Sequence, residues 1–241
     1  SPTAILALLT GLNLLNYIDR MTVAAVLKRM LEPADIGGLG LSNFQGGLLA
    51  TAFLGGYFVT APGFGARAGR GTGKTLIALG VAVWSAATFA TGLAHTYTEL
   101  LAARVVVGVG EASFAALAPT IIDDLTPPER KARALAIFYL AIPVGSALGY
   151  LVGGFIEAHW GWRYAFYVTG VPGIVLALAC LAIDEPQRQL RAATGSIRDG
   201  LRTIARLVQF RRGTLGYCAY TGAIGAFSYW APKYLADTYP H

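Results

Sequence analysis

Seven stretches of this chain are each about 20 residues long and mostly apolar: 3–27, 43–64, 75–94, 99–123, 134–156, 164–183 and 214–236. A run of that length matches the hydrocarbon thickness of a bilayer when it is helical. In hydrocarbon every backbone N–H and C=O must be satisfied within the segment, and an α-helix does this. Segments 75–94 and 164–183 contain no Asp, Glu, Lys or Arg. The expected fold class is therefore an all-α membrane protein.

Charge placement fixes the expected orientation. Arg67, Arg70, Lys74, Arg130, Lys131, Arg133, Arg188, Arg191, Arg198, Arg202, Arg206, Arg211 and Arg212 fall in the loops after segments two, four and six. The other side carries Lys28, Arg29, Arg163 and Lys233. The positive-inside rule places the N-terminus and the basic loops in the cytoplasm. The expected location is a multi-pass protein of the bacterial inner (plasma) membrane. The same clustering explains a net charge of +6 without nucleic-acid binding.

The sixth loop is the main boundary. Ile197, Leu201, Ile204, Ala205 and Val208 share one helical face, with Arg198, Arg202 and Arg206 on another, the pattern of an interfacial amphipathic helix. The expected organisation is a six-helix bundle over 1–183, a basic amphipathic linker over 184–213, and over 214–241 the first helix of a second, truncated bundle. The expected oligomeric state is a monomer with that second bundle missing.

Ionisable residues inside a span cost roughly 2.5–3.5 kcal/mol or more and are functional candidates by default. Here they are Asp19, Arg20, Arg104 and Glu111. Counting about 1.5 Å per residue from the outer ends places Asp19 between Arg104 and Glu111 in depth. Two cross-helix pairs are then expected, Asp19 with Arg104 and Arg20 with Glu111. A carboxylate in low dielectric favours its neutral form, and a nearby guanidinium restores its charge. Asp19 and Glu111 are thus candidates for proton coupling, and Arg20 and Arg104 for binding a substrate anion. Asn16 and Tyr17 extend this site on segment one, and Tyr139, Ser146 and Tyr150 extend it on segment five. Pro143 lies on the same face and frees a backbone carbonyl. Gly108 and Gly110, and the run Gly145, Gly149, Gly153, have the small-residue spacing of closely packed helices.

Other signals carry less. The string Gly69-Arg70-Gly71-Thr72-Gly73-Lys74-Thr75 imitates a phosphate loop, but its first glycine position is Ala68 and no soluble strand precedes it. Cys180 and Cys218 lie in apolar segments and have no metal-ligand spacing. No metal, cofactor or enzymatic chemistry is expected. The expected partners are membrane lipids, an amphiphilic substrate and protons.

Several strings together resemble the Spinster branch of the major facilitator superfamily. They are Asn16-Tyr17-Ile18-Asp19-Arg20, Arg104 through Gly108-Val109-Gly110-Glu111-Ala112-Ser113, Ala118-Pro119-Thr120, Pro128-Glu129-Arg130, Trp160-Gly161-Trp162-Arg163 and Ser228-Tyr229-Trp230-Ala231-Pro232. The resemblance implies half of a twelve-helix transporter: two six-helix bundles around a central cavity, working by alternating access. Spinster proteins are associated with sphingosine-1-phosphate and lysophospholipid transport. Asp19, Arg20 and Glu111 match positions implicated there in proton or substrate handling, and Arg104 matches the superfamily's arginine of segment four. Arg67, Gly69 and Arg70 fit the motif after segment two, whose Asp and first Gly are replaced by Ala66 and Pro62. That departure puts the usual cytoplasmic lock in doubt. The expected function is proton-coupled transport of a lysolipid or sphingosine-1-phosphate-like molecule. An importer of small organic anions or sugars is the alternative.

Overall fold

A computed structural model of the chain describes residues 2–67, 73–182 and 197–239. Among them are eight α-helices: α1 (Pro2–Leu31), α2 (Asn43–Gly65), α3 (Gly73–Leu93), α4 (Tyr97–Leu125), α5 (Lys131–Trp160), α6 (Trp162–Leu181), α7 (Ile197–Arg206) and α8 (Val208–Thr238). Short 3-10 turns at Ala34–Ile36 and Pro128–Arg130 complete the described elements.

The helix starts follow from local chemistry. Ser42 and Gln45 form a reciprocal capping box at α2, and Thr96 and Glu99 form another at α4. Each satisfies two backbone donors that a helix start leaves open. The tight reversal between α5 and α6 passes through Gly161 at φ 90°, a conformation that L side chains rarely adopt.

Among the described residues, five helical stretches are long and apolar enough to cross a bilayer: Asn43–Gly65, Gly73–Leu93, Tyr97–Leu125, Pro128–Trp160 and Trp162–Leu181. At 30 and 31 residues α1 and α8 have the length, but their composition is more polar. Helix α8 starts at Val208, six residues before the expected segment. The expected linker between 184 and 196 lies outside the described residues, as do the side chains of Ile197, Arg198 and Leu201.

Helices α1 and α5 form one close pair, α2 and α4 another, and α3 packs on both α4 and α6. Glycines permit this approach. A Cβ at Gly145 would lie 2.6 Å from the Leu14 carbonyl oxygen, and one at Gly149 would lie 2.7 Å from that of Ile18. The small-residue stripe of α5 is therefore its seat on α1. In α4, Gly108 faces α2, where a Cβ would meet the Phe53 oxygen at 2.1 Å, and Gly110 faces α3.

Burial separates into two apolar cores stacked along the bundle. One joins Leu9 and Leu12 to Trp84, Phe114, Ile122 and Phe138. The other joins Val26 and Met30 to Leu49, Leu100, Trp162 and Phe166. Between them lies a layer of buried polar groups: Asn16, Asp19, Ser85, Thr88, Arg104, Glu111 and Thr169. The outer surface is the reverse of a soluble protein's, with Phe58, Val59, Leu151 and Leu178 all more than half exposed. An apolar exterior around a polar middle layer is the arrangement a bilayer selects.

Helix α8 meets the bundle near its C-terminal end. Tyr229 donates its hydroxyl proton to the Gly46 carbonyl at 2.8 Å, and Tyr150 donates to that of Ser228 at 2.6 Å. Lys28 Nζ donates to the Ala236 carbonyl at 2.8 Å and pairs with Asp237 at 3.3 Å.

Candidate functional site

The polar layer contains one close ion pair. Arg20 on α1 places Nε and Nη2 on Glu111 Oε2 of α4, each at 2.7 Å. Glu111 is fully buried. The guanidinium is further enclosed by aromatic faces, with its carbon 4.9 Å from the Phe53 ring centre, 5.0 Å from that of Tyr17 and 5.6 Å from that of Tyr57. A cation over aromatic rings gains about 0.5–1 kcal/mol at an exposed site and more as water is excluded, and the Arg20 side chain is 23% exposed. Arg20 is thus held from both sides, by a carboxylate and by π-faces.

The second expected pair does not form. Asp19 is 1% exposed, and its carboxylate faces α3 and α6, where the Thr88 hydroxyl donates to it at 3.4 Å. Arg104 points elsewhere, with its guanidinium carbon 5.8 Å from the Phe53 ring centre and its Nε without a hydrogen-bond partner. Depth along the helix axes was compatible with pairing, but azimuth was not. Successive residues on a helix project about 100° apart, so Asp19 and Arg20 serve different sides of α1.

A cavity of about 650 Å³ adjoins the layer, well within the size of small-molecule sites. Tyr17, Arg20, Arg104, Ser146 and Tyr150 line it, and so do Met21, Phe53, Leu54, Ile142, Tyr229 and Trp230. Five of the sequence-predicted substrate residues therefore share one space. Asn16 is buried in the bundle with its Nδ2 unpartnered, and Tyr139 is 47% exposed with its ring edge-on to Phe138. Neither lines the cavity, and neither do Asp19 and Glu111. Pro143 lies within α5, where its ring removes one backbone bond. Asn13 donates to the Phe138 carbonyl at 2.9 Å, next to the carbonyl that Pro143 leaves free.

At the end of α2, Arg67 Nη1 donates to the Gly63 carbonyl at 3.0 Å, satisfying a helix-end acceptor. Ala66 is the residue that closes α2. Gly69 and Arg70 lie outside the described residues.

Sequence reasoning missed Phe53 and Tyr57 around Arg20, Thr88 and Thr169 around Asp19, and Tyr229 and Trp230 at the cavity. The hydroxyl-bearing pair could have been found, because each is a polar residue within an otherwise apolar run. The aromatics carry no such mark, since a Phe in a membrane helix is ordinary.

A family model described as Major Facilitator Superfamily matches residues 9–240. The chain is 38% identical to Protein spinster of Drosophila melanogaster over 92% of this chain and 37% of that protein. It is 33% identical to Sphingosine-1-phosphate transporter SPNS2 of Danio rerio, over 98% of this chain and 48% of that protein. Its fold superposes with a TM-score of 0.81 and 27% identity on the crystal structure of a bacterial homolog to the human lysosomal transporter Spinster, inward-facing and unoccupied. That match covers 98% of this chain and 55% of the other. The chain spans roughly half the length or less of these relatives.

Proposed function

The chain belongs to the Major Facilitator Superfamily and is similar to Spinster proteins, and on that premise we propose that it is the N-terminal half-site of a proton-coupled secondary transporter for an amphiphilic, anionic lipid-like molecule. The observation that carries this reading is the cavity itself. It has two guanidinium groups, Arg20 and Arg104, set among apolar and aromatic side chains. An anionic head group suits the arginines, and an acyl or sphingoid tail suits Met21, Phe53, Leu54, Ile142 and Trp230. Among the described residues the lining carries no Asn or Gln, while Trp230 is a feature it would share with a sugar site.

The chemistry of coupling uses the Arg20–Glu111 pair. An anion entering the cavity competes with Glu111 for Arg20. Glu111, left buried without its cation, takes up a proton, because burial favours the neutral acid. Release of the anion reverses both steps. Asp19 is a second acid in the same layer, placed behind α1. With the N-terminus cytoplasmic, the contacts of Tyr150 and Lys28 to α8 and of Tyr229 on α8 to Gly46 of α2 lie at the outer end and hold that end shut, so the cavity is reached from the cytoplasmic side. Alternating access requires those contacts to break.

Uptake of labelled lysolipid and of small organic anions into proteoliposomes, with and without a proton gradient, tests the reading. Gradient-dependent movement of the lysolipid is expected, with none for the small anions. Transport indifferent to the gradient in wild type would remove proton coupling, and preference for small anions would remove the lipid assignment.

A further inference from the structure

Two hydroxyl bonds tie α8 to the bundle from within the cavity wall. Tyr229 of α8 donates to the Gly46 carbonyl of α2 at 2.8 Å, and Tyr150 of α5 donates to the Ser228 carbonyl of α8 at 2.6 Å. Both tyrosines line the cavity, whereas Lys28, which holds the tip of α8, does not. The two acceptors are not equivalent. Ser228 lies four residues before Pro232, which is inside α8 and has no N–H to return to it. Tyr150 therefore supplies the donor that this carbonyl lacks, and breaking that bond would strand a backbone acceptor. Gly46 lies within α2, four residues before Ala50, so its carbonyl already has a helical donor. The bond from Tyr229 is a second one. Its release leaves the carbonyl satisfied, and only the Tyr229 hydroxyl then needs a new acceptor.

Such an acceptor arrives with an anion at Arg104. Tyr229 packs against the apolar core that contains Leu49 and Leu100, and Arg104 stands one turn beyond Leu100 on α4. The guanidinium and the phenol line the same cavity and interact electrostatically. Arg104 Nε is buried with no hydrogen-bond partner. An oxyanion seated on Arg104 brings lone pairs towards the Tyr229 hydroxyl, and a bond to a charged acceptor is roughly twice as strong as one to a neutral carbonyl. We propose that Tyr229 is a specificity-determining residue that senses the head group: its hydroxyl leaves the Gly46 carbonyl for an oxyanion bound at Arg104 and so frees α8 from α2, while Tyr150 stays on Ser228. The assignment rests on the anionic-lipid reading of the cavity and adds how the ligand opens the outer end. A ligand shifts a conformational equilibrium only through contacts that differ between the two states, and this hydroxyl makes one. An amphiphile with the same tail and a quaternary ammonium head has no acceptor to offer and leaves the contact closed.

Spin labels at the exposed positions Phe44 and Thr238 of the full chain report the separation of α2 and α8. Dodecyl phosphate and dodecyltrimethylammonium, which share a tail, are the probes, and binding of each is measured in parallel by equilibrium dialysis. In wild type the phosphate is expected to lengthen the distance and the ammonium compound to leave it unchanged. Tyr229→Phe is expected to be long without ligand, with no further change when the phosphate is added. Lys28→Met removes a contact outside the cavity, so it lengthens the resting distance but keeps the response to the phosphate. A Tyr229 that only holds structure would behave as Lys28 does, and a phosphate response retained in Tyr229→Phe therefore overturns the proposal. So does an equal response of wild type to both probes, a result that needs no variant to fold. Binding of dodecyl phosphate with no change in distance overturns the switch alone and leaves the anionic-lipid reading in place, whereas failure of wild type to bind it removes both.

Discussion

Arg20 sets two nitrogens on a single oxygen of Glu111, each at 2.7 Å, and the other Glu111 oxygen is buried with no donor. The pair is therefore made on one side only. Removing one partner from a buried pair costs about 3–5 kcal/mol, because the other charge is stranded. Glu111→Ala is expected to lower stability by that order and to abolish transport. The double variant Arg20→Met, Glu111→Leu is expected to melt above Glu111→Ala while remaining inactive. Thermal melting in detergent with parallel uptake assays measures both. A double variant no more stable than the single one contradicts the stranded-charge account.

Arg104 gives a second test. It lines the cavity with no hydrogen bond at Nε, whereas Arg20 is already neutralised by Glu111. An anionic head group therefore gains more from Arg104. Arg104→Lys keeps the charge but loses the planar fork, and a rise in KM of about tenfold with folding intact is expected, on the scale of one charge-assisted bond. Uptake kinetics with a lysolipid give the number. A KM at the wild-type value would place the anion elsewhere.

Helix packing offers a contrast within one residue type. A Cβ at Gly108 would lie 2.1 Å from the Phe53 oxygen of α2, while one at Gly154 meets nothing within 4 Å. Gly108→Ala is expected to destabilise by about 1–3 kcal/mol, the cost of overpacking. Gly154→Ala is expected to be neutral or slightly stabilising, since alanine favours a helix by about 1 kcal/mol over glycine. Paired melting curves decide it, and equal loss in both variants would mean that α2 and α4 do not meet at Gly108.

Much of this architecture is legible in the chain because the bilayer imposes a length and a polarity that few other environments require. The helices appear close to their expected bounds, and the stripe of Gly145, Gly149 and Gly153 does seat α5 against a neighbour. The pair Arg20–Glu111 was also accessible, since depth and charge agree. Asp19 shows where such reading stops. Its depth matched Arg104, but its direction is decided by how α1 rotates against α3, α5 and α6, which depends on long-range packing. For the same reason Phe53 and Tyr57 could not be connected to Arg20 from sequence, because the α2–α4 contact that delivers them rests on Gly56 and Gly108 acting together.

At the end of the bundle that carries the α5–α6 turn, Asp237 lies just beyond the apolar stretch of α8, held by Lys28 of α1 and by Lys233 one turn earlier. The hydrogen bond from Lys233, with the charge of both lysines, holds the carboxyl below its usual range. A group with a depressed folded pKa contributes above its unfolded value, near 3.9, and loses that contribution as pH falls through the lower folded value. The contact between α8 and α1 is therefore expected to persist from neutral pH down to about pH 4 and to loosen only in stronger acid. High salt weakens it throughout, because the groups are exposed and screened. Asp237→Asn removes the dependence but leaves the Lys28 bond to the Ala236 carbonyl, the Tyr229 bond to Gly46 and the Tyr150 bond to Ser228. Each of those uncharged or half-charged bonds contributes about 1 kcal/mol, so Asp237→Asn alone is expected to shift the position of α8 little, and Tyr150→Phe with Tyr229→Phe to shift it more. Spin labels at the exposed positions His159 and Thr238 report the separation of α5 and α8. A longer distance in the double phenylalanine variant than in Asp237→Asn is expected. The reverse order would make the ion pair, and not the tyrosines, the contact that holds this end closed.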